Sequence, residues 1–144
     1  MADSPPYFDL ITMGRIGVDL YPLETGVPLE RVETFGRFLG GSAANVAVAA
    51  ARLGRSVAIV TRTGDDPFGR FLHEALEEFG VDDRWVTPVA AYPTPLTFCE
   101  IFPPDDFPCT STAAPRPRTW RSTPTSWTWP PYARPGSSGS PARG

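Results

Sequence analysis

Two polar residues in apolar or glycine-rich surroundings, Asp19 and Asn45, are the first candidates for chemistry. Asp19 follows the apolar run 8–13, and ligands of open α/β sheets bind at the carboxyl ends of strands. Asn45 follows Gly40 and Gly41 at the start of an Ala-rich run, where a helix N-terminus offers free backbone N–H groups. These features predict a site that hydrogen-bonds a polar ligand. Each also has a purely structural explanation, a turn or cap carboxylate for Asp19 and a tight turn for the glycine pair.

Three further polar side chains have weaker claims to a functional role. Arg62 and Asp65 flank a short turn, where a local ion pair is as good an explanation as a substrate contact. His73 is the only histidine, and it lies beside Glu74 and Glu77, off the apolar stripe of its helix. We therefore expect a solvated side chain on the helix surface.

Short apolar runs and helical patterns alternate along the first two thirds of the chain. This alternation, with glycines between the elements, predicts an α/β fold with a largely parallel sheet and right-handed crossovers. The first run has the apolar character of a buried strand. The predicted strands are 8–13, continued by 15–22, then 32–39, 56–61, 81–86 and 96–102.

Two helices carry clear start and stop signals. The first is predicted over 43–53, with Ser42 as its N-cap and Gly54 just past its end. The second has Asp66 as N-cap, Pro67 at the first helical position and Gly80 at its end. Its apolar residues recur at helical spacing and predict one face packed on a sheet. They are Phe68, Phe71, Leu72, Ala75, Leu76 and Phe79.

Composition excludes several classes of function. The chain has 144 residues and a formal charge of −3, which argues against a general nucleic-acid binder. Two cysteines, Cys99 and Cys109, form neither a disulfide framework nor a metal cluster, so a reducing cytoplasm is the expected location, and Cys99 is expected to be a small packed residue. We expect no signal peptide and no membrane-spanning segment, because no apolar run is long enough.

The chain joins two compositions near Pro108. All 16 acidic residues lie before residue 107, whereas residues 109–144 contain five Arg, seven Pro and no Leu, Ile, Val, Asp or Glu. Such a segment has too little aliphatic surface to form a core, and we expect a disordered Pro/Ser/Arg-rich tail. GC-rich codons shifted by one base would yield ordinary helix and strand patterns over the same segment. The sequence therefore predicts that residues 109–144 are out of frame, after a domain at 1–108.

Three motifs together resemble the ribokinase-like (PfkB) family of carbohydrate kinases. They are Met-Gly-Arg-Ile-Gly-Val-Asp at 13–19, Gly-Gly-Ser-Ala-Ala-Asn at 40–45 and Thr-Arg-Thr-Gly-Asp-Asp-Pro-Phe-Gly at 61–69. The resemblance covers roughly 9–108. Flanking residues at 17–22, 32–35 and 95–108 resemble the subfamily that phosphorylates 5-dehydro-2-deoxygluconate, a sugar acid of inositol catabolism.

The resemblance implies a fold, a reaction and a set of site residues. The fold is three-layered, with a parallel sheet and a small β lid at roughly 19–39 and 96–102, through which the protein could form oligomers. The reaction is phosphoryl transfer from ATP to a sugar acid, with Mg²⁺. Asp19 and Asn45 match positions that hydrogen-bond sugar hydroxyls, and Gly40 and Gly41 let the backbone approach. Arg15 and Arg62 are further candidates for substrate contact.

This sequence departs from the family in one respect, since it has no Gly-Ala-Gly-Asp turn. In the family that turn supplies the anion hole and the catalytic base. The resemblance therefore implies no catalytic residue and no ATP or Mg²⁺ site in this chain, and we expect the polypeptide alone to be inactive. Alternatives are another PfkB kinase (2-dehydro-3-deoxygluconokinase, fructokinase or ribokinase type), a Rossmann-like binding module, and an interaction protein that uses the tail.

Overall fold

The computed structural model describes residues 7–112, and the expected tail beyond 112 lies outside the described residues. Two helices and seven strands account for most of this part of the chain, together with a short 3₁₀ turn at Leu29–Arg31. The helices are α1 (Ser42–Arg52) and α2 (Pro67–Glu78). The strands are β1 (Leu10–Met13), β2 (Gly17–Pro22), β3 (Phe35–Gly40), β4 (Val57–Gly64), β5 (Val81–Val89), β6 (Leu96–Cys99) and β7 (Cys109–Ser111).

A parallel sheet with the strand order β1-β4-β5 forms one half of the described chain. Its middle strand, β4, is buried along nearly its whole length, as its apolar run predicts. β1 differs from the expectation of a buried strand, because Ile11 and Met13 are 44% and 58% exposed. The physical reason is that β1 pairs with β4 only, which leaves it at the edge of the sheet within the described residues.

The first helix begins directly after the glycine pair, as predicted, but its N-cap residue is not the predicted one. Gly41 is the N-cap residue, with a φ of 103°, so no side chain caps the helix, and Ser42 is already its first residue. The positive φ at Gly41 is one that glycine adopts without strain. Gly54, with a φ of 77°, follows the end of the helix as predicted.

The second helix matches the predicted start, stop and buried face. The Asp66 carboxylate accepts a hydrogen bond of 2.8 Å from the backbone N–H of Gly69, and Pro67 occupies the first turn. All residues of the predicted apolar stripe except Ala75 join one buried cluster with α1 and β4, either fully or at its margin. The fully buried members of the stripe are Leu72, Ala75 and Leu76.

A second sheet, called the lid sheet here, has the strand order β3-β2-β6-β7. β2 runs antiparallel to β3 and parallel to β6, so it does not continue β1 as the sequence suggested. The chain leaves the parallel sheet after Met13, and Gly17 opens β2 against the backbone of Pro95. β7 lies beyond the predicted boundary at Pro108. Its residues 109–111 complete the lid sheet beside β6. The expected disorder from 109 onward therefore does not hold for these three residues.

Candidate functional site

Asp19 lies in β2, in the interior of the lid sheet, and its Cα is paired with those of Phe38 on β3 and Thr97 on β6. The carboxylate is half-buried. Burial raises the pKa of Asp19, and a hydrogen bond with the Thr97 side chain opposes that rise. Because the charged form is partly desolvated, donors on a ligand would be favourable partners for this carboxylate.

The two glycines before α1 allow the lid sheet to approach the helix. A methyl group at Gly40 would overlap the Asp19 carboxyl group. A methyl group at Gly41 would overlap the backbone carbonyl of Arg15, and the positive φ there already disfavours other residues. Glycine at both positions therefore keeps Asp19 close to the start of the helix.

Asp19 and Asn45 line one hollow of about 450 Å³ between the lid sheet and the start of α1. Asn45 is exposed in the first turn of the helix, so its amide is free to reach a ligand. Tyr21 and Phe38 form part of the wall, with their rings edge to face at a centroid distance of 5.6 Å. Polar groups beside aromatic surfaces suit a ligand with both hydroxyl groups and an apolar ring or chain face.

A second hollow, of about 230 Å³, adjoins the first through Asp19. Arg15, Ser42 and Thr97 contribute polar side chains to its lining. Arg15 is exposed, so its guanidinium group is accessible to an anionic ligand. The two hollows share Asp19, and their linings together include one carboxylate, one amide and one arginine.

The remaining polar candidates lie elsewhere. Arg62 is exposed on β4 and belongs to the lining of neither hollow. Within residues 7–112 the ion pairs are His73–Asp83 and Arg84–Asp82, so the suggested pair between Arg62 and Asp65 does not form.

The expectation of a solvated His73 is wrong. Its Nδ1 lies 2.5 Å from a carboxylate oxygen of Asp83, and the side chain is 26% exposed. Nothing in the local sequence around the helix indicates this contact, because Asp83 lies on β5, ten residues further on.

Sequence reasoning also missed the side chains of the lid that share the hollow with Asp19. Tyr21 and Phe38 come from β2 and β3, and Ile101 comes from the segment after β6. Alternation along β2 was the available signal, because Asp19 and Tyr21 are two residues apart and share one face of a strand. Assigning 15–22 to the parallel sheet hid that signal.

A hydrogen-bond network connects α2 to the loop that supports the site. The Asp66 carboxylate accepts bonds from the backbone N–H and the hydroxyl group of Thr94, at 2.7 and 2.8 Å. The Thr94 hydroxyl in turn accepts a bond of 2.9 Å from the backbone N–H of Gly64. Pro95, the next residue, accepts a bond from the backbone N–H of Val18 in β2. The motif at 61–69 therefore fixes the strand that carries Asp19.

A family model described as pfkB family carbohydrate kinase matches residues 8–106. The chain belongs to this family. The PfkB domain resembles curated proteins named 5-dehydro-2-deoxygluconokinase. That of Lacticaseibacillus casei is 38% identical over 103 residues, which are 71% of this chain and 32% of the relative. That of Bacillus anthracis is 40% identical over 100 residues, 69% and 30% of the two chains. The chain thus spans about a third of the length of these relatives.

Solved structures confirm the predicted ribokinase-like α/β fold of the PfkB domain. A PfkB protein from Polaromonas matches with a TM-score of 0.68 and 32% identity, over 73% of this chain and 35% of that one. A sugar kinase from Pyrococcus horikoshii in complex with ATP matches with a TM-score of 0.67 and 30% identity, over 72% and 33%. The chain therefore corresponds to about a third of the length of each of these structures.

The described residues hold neither a metal-binding cluster nor a helix that could span a membrane. Between residues 7 and 112, no group of three or more His, Cys, Asp or Glu side chains is arranged to hold a metal ion. Neither α1 nor α2, the helices of that part of the chain, has the length and hydropathy needed to cross a bilayer.

Proposed function

We propose that this chain is the sugar-binding part of an ATP-dependent kinase that phosphorylates a sugar acid, 5-dehydro-2-deoxygluconate, in inositol catabolism. The observation that supports it most is the shared hollow of Asp19 and Asn45 in a chain of the PfkB family. The names of the curated relatives support the choice of substrate. We place the protein in the cytoplasm, with a small molecule rather than a nucleic acid or membrane as its partner. Association through the lid sheet is part of the same proposal.

Each polar group has a role in holding a polyhydroxy acid. Asp19 accepts hydrogen bonds from two sugar hydroxyl groups, and Asn45 donates to one and accepts from another. Gly40 and Gly41 let the backbone come near the sugar. Arg15 pairs with the carboxylate of the acid, because a guanidinium group binds carboxylates with two parallel hydrogen bonds.

Arg62 remains a second candidate for the substrate carboxylate. It is the weaker of the two arginines because it lines neither hollow. A neutral side chain at Arg62 should therefore leave binding nearly unchanged, whereas the same change at Arg15 should weaken it.

The reaction itself requires groups that the described residues do not supply. In the family, MgATP provides the phosphoryl group, and a Gly-Ala-Gly-Asp turn supplies the base and the anion hole. That turn does not occur in this sequence. We therefore propose that this polypeptide alone binds sugar acid without phosphorylating it, and that the same residues, in a kinase whose reading frame is intact, contribute substrate positioning and water exclusion through the lid sheet.

The composition of the last quarter of the chain supports an origin in a shifted reading frame. Residues 109–144 have five Arg and no acidic residue, unlike the preceding part of the chain. We propose that one base is missing near codon 108. Nucleotide sequencing should show the PfkB frame continuing there, and the absence of any such open frame downstream would refute the idea.

The binding proposal is tested on the full chain by saturation-transfer NMR and calorimetry with 5-dehydro-2-deoxygluconate, fructose and ribose. We expect the sugar acid to bind, and Asp19→Asn and Asn45→Ala each to weaken binding by about tenfold or more, since each removes buried hydrogen bonds. Asp65→Asn is the matched control, because it removes one exposed carboxylate outside both hollows.

Three outcomes decide between the candidate functions. Preference for a neutral sugar would favour a fructokinase or ribokinase type. Binding of labelled ATP without any sugar binding would favour a nucleotide-binding module of the Rossmann type. If the folded Asp19→Asn variant binds the sugar acid as tightly as the wild type does, the proposed site loses its basis.

A further inference from the structure

The two cysteines of the chain face each other across neighbouring strands of the lid sheet. Cys99 ends β6, Cys109 begins β7, and the two residues are direct partners in the antiparallel register. Both are free thiols, with their sulfur atoms 2.7 Å apart. Ten residues separate them in sequence, so the contact depends on how the two strands pair.

The pattern of backbone hydrogen bonds shows that the geometry of this pair suits a disulfide bond. The N–H of Glu100 donates to Pro108, and the N–H of Thr112 donates to Leu96, both at 2.8 Å. Since hydrogen-bonded and non-hydrogen-bonded pairs alternate along an antiparallel ladder, Cys99 and Cys109 form a non-hydrogen-bonded pair. The Cα atoms of such pairs are about 4.5 Å apart, within the range that a disulfide spans. No movement of the strands is needed to join them.

The pair also lies on the face of the lid sheet that carries the candidate site. Thr97 and Cys99 are two residues apart on β6, so they share a face, and Thr97 is the partner of Asp19. The segment between the cysteines includes Ile101, which lines the larger hollow. It also includes Glu100, whose carboxylate accepts a 2.7 Å bond from the backbone N–H of Leu29. A covalent link at its base would hold this segment as a wall of the hollow.

We propose that Cys99 and Cys109 form a reversible disulfide by exchange with a small-molecule disulfide such as oxidised glutathione. The exposed Cys109 loses its proton and attacks the oxidant, which breaks the S–S bond of glutathione and releases one glutathione thiolate. Cys99 then loses its proton, and its sulfur attacks that of Cys109. The second glutathione leaves as a thiolate, and the two protons convert the released thiolates to thiols. Two cysteine thiols are oxidised and one glutathione disulfide is reduced.

Burial limits which cysteine reacts first. Cys99 is 2% exposed, and its burial, together with the neighbouring Cys109, raises the pKa of its thiol to about 12. Only the thiolate attacks a disulfide, so Cys99 is protected from direct modification by solutes. It is nevertheless in contact with Cys109, where it can displace glutathione as soon as a mixed disulfide forms.

The test exposes the purified full chain to a series of reduced-to-oxidised glutathione ratios, blocks the remaining thiols by alkylation, and measures intact and peptide masses. We expect monomers that lose two alkylatable thiols together, with a Cys99–Cys109 cross-linked peptide, and full reversal by dithiothreitol. The proposal concerns the chain as written, so this result is independent of whether the chain binds sugar and of how its last residues arose.

A register variant provides the matched control. The double variant Cys109→Ser with Thr110→Cys moves the second thiol by one residue, to the opposite face of β7. We expect its intramolecular disulfide to need a glutathione ratio at least about tenfold more oxidising, because the aligned pair is lost. In urea the wild-type chain should also need a more oxidising glutathione ratio to form the disulfide, because its unfolded strands no longer align the two thiols.

Several results would overturn the proposal. One is a stable glutathione adduct on Cys109 with Cys99 still available for alkylation. Others are dimers linked through Cys109, or equal ring closure in the wild type and the register variant. If the register variant does not fold, as judged by circular dichroism, Cys109→Ser alone serves as the control. In that single variant Cys99 must stay reduced at every ratio.

Discussion

The parallel sheet and the lid sheet contain similar numbers of residues but have different roles in the molecule. The parallel sheet is covered by α1 and α2, and its strand β4 contributes Val57 and Ile59 to a continuous apolar cluster. The lid sheet has strands only, and it places Asp19, Tyr21 and Phe38 around a hollow. Phe38 is 50% exposed there, whereas Ile59 is fully buried. Stability therefore resides mainly in the first sheet and the candidate binding groups in the second.

Three kinds of contact join these regions, and the first is the apolar core, because Val18 of β2 is a buried member of the same cluster as Val57 and Ile59. The guanidinium group of Arg37, on β3, lies 4.3 Å from the ring centre of Phe71 on α2. The Asp66–Thr94 network connects the start of α2 to the loop before β6. A truncation in the core under α1 and α2 should therefore lower stability throughout, whereas replacing a polar side chain that faces the hollow should alter binding with little effect on folding. The following predictions test that separation, beginning with the largest effect.

Replacing Leu72 by Ala should have the largest effect on stability. Leu72 is fully buried on α2 within the shared core. Such truncations cost about 2–5 kcal/mol, from lost burial and the cavity that remains. Urea unfolding followed by circular dichroism measures the change. Leu53→Ala is the control, because Leu53 is 81% exposed and its truncation should cost far less. Equal losses at both positions would contradict a core centred on α2.

Replacing Gly40 by Ala should disturb the lid through one identified overlap, that of the new methyl group with the Asp19 carboxyl group. Overpacking of this kind costs about 1–3 kcal/mol. The double variant with Asp19→Ala should recover much of that loss, because the overlapping carboxyl group is gone. A double-mutant cycle by urea unfolding measures the coupling between the two sites. Strictly additive losses would show that the overlap is not the cause.

Replacing Asp66 by Ala should lower stability by about 0.5–2 kcal/mol, the usual cost of losing an N-cap. Burial alone would raise the pKa of Asp66, but hydrogen bonds from Thr94 and Gly69 outweigh it and lower the pKa below 3.8. Its stabilising contribution is thus complete above pH 3.8 and is lost as pH falls through the lower, folded-state pKa. Asp66→Asn should remove this part of the acid dependence of the melting temperature. Asp65→Asn, next to it and exposed, is the matched control.

Sequence patterns predicted the parallel half of the fold better than the lid. The apolar run of β4 and the cap, proline and glycine around α2 depend on local physics, and all appear where expected. The lid depends on pairing between distant segments, such as β2 with β6, which no local pattern encodes. For that reason the local pattern wrongly joins 15–22 to the first strand, only the family resemblance assigns 19–39 and 96–102 to a lid, and neither predicts β7. Asp19 and Asn45 were singled out from their neighbours, but Tyr21 and Phe38 needed the tertiary structure.

The smallest expected effect is a gain in stability from a substitution in the candidate site itself. Burial raises the pKa of Asp19, against the opposing hydrogen bond of Thr97, so the folded state holds the proton more tightly than the unfolded chain. The resulting cost to stability is complete above the raised, folded-state pKa and disappears as pH falls through it towards 3.8. Asp19→Asn should therefore melt slightly higher than wild type at neutral pH, with the difference vanishing on acidification. A lower melting temperature at neutral pH would mean that the carboxylate stabilises the lid sheet. Its partial burial would then be a structural feature, and the binding role of Asp19 would lose its electrostatic support.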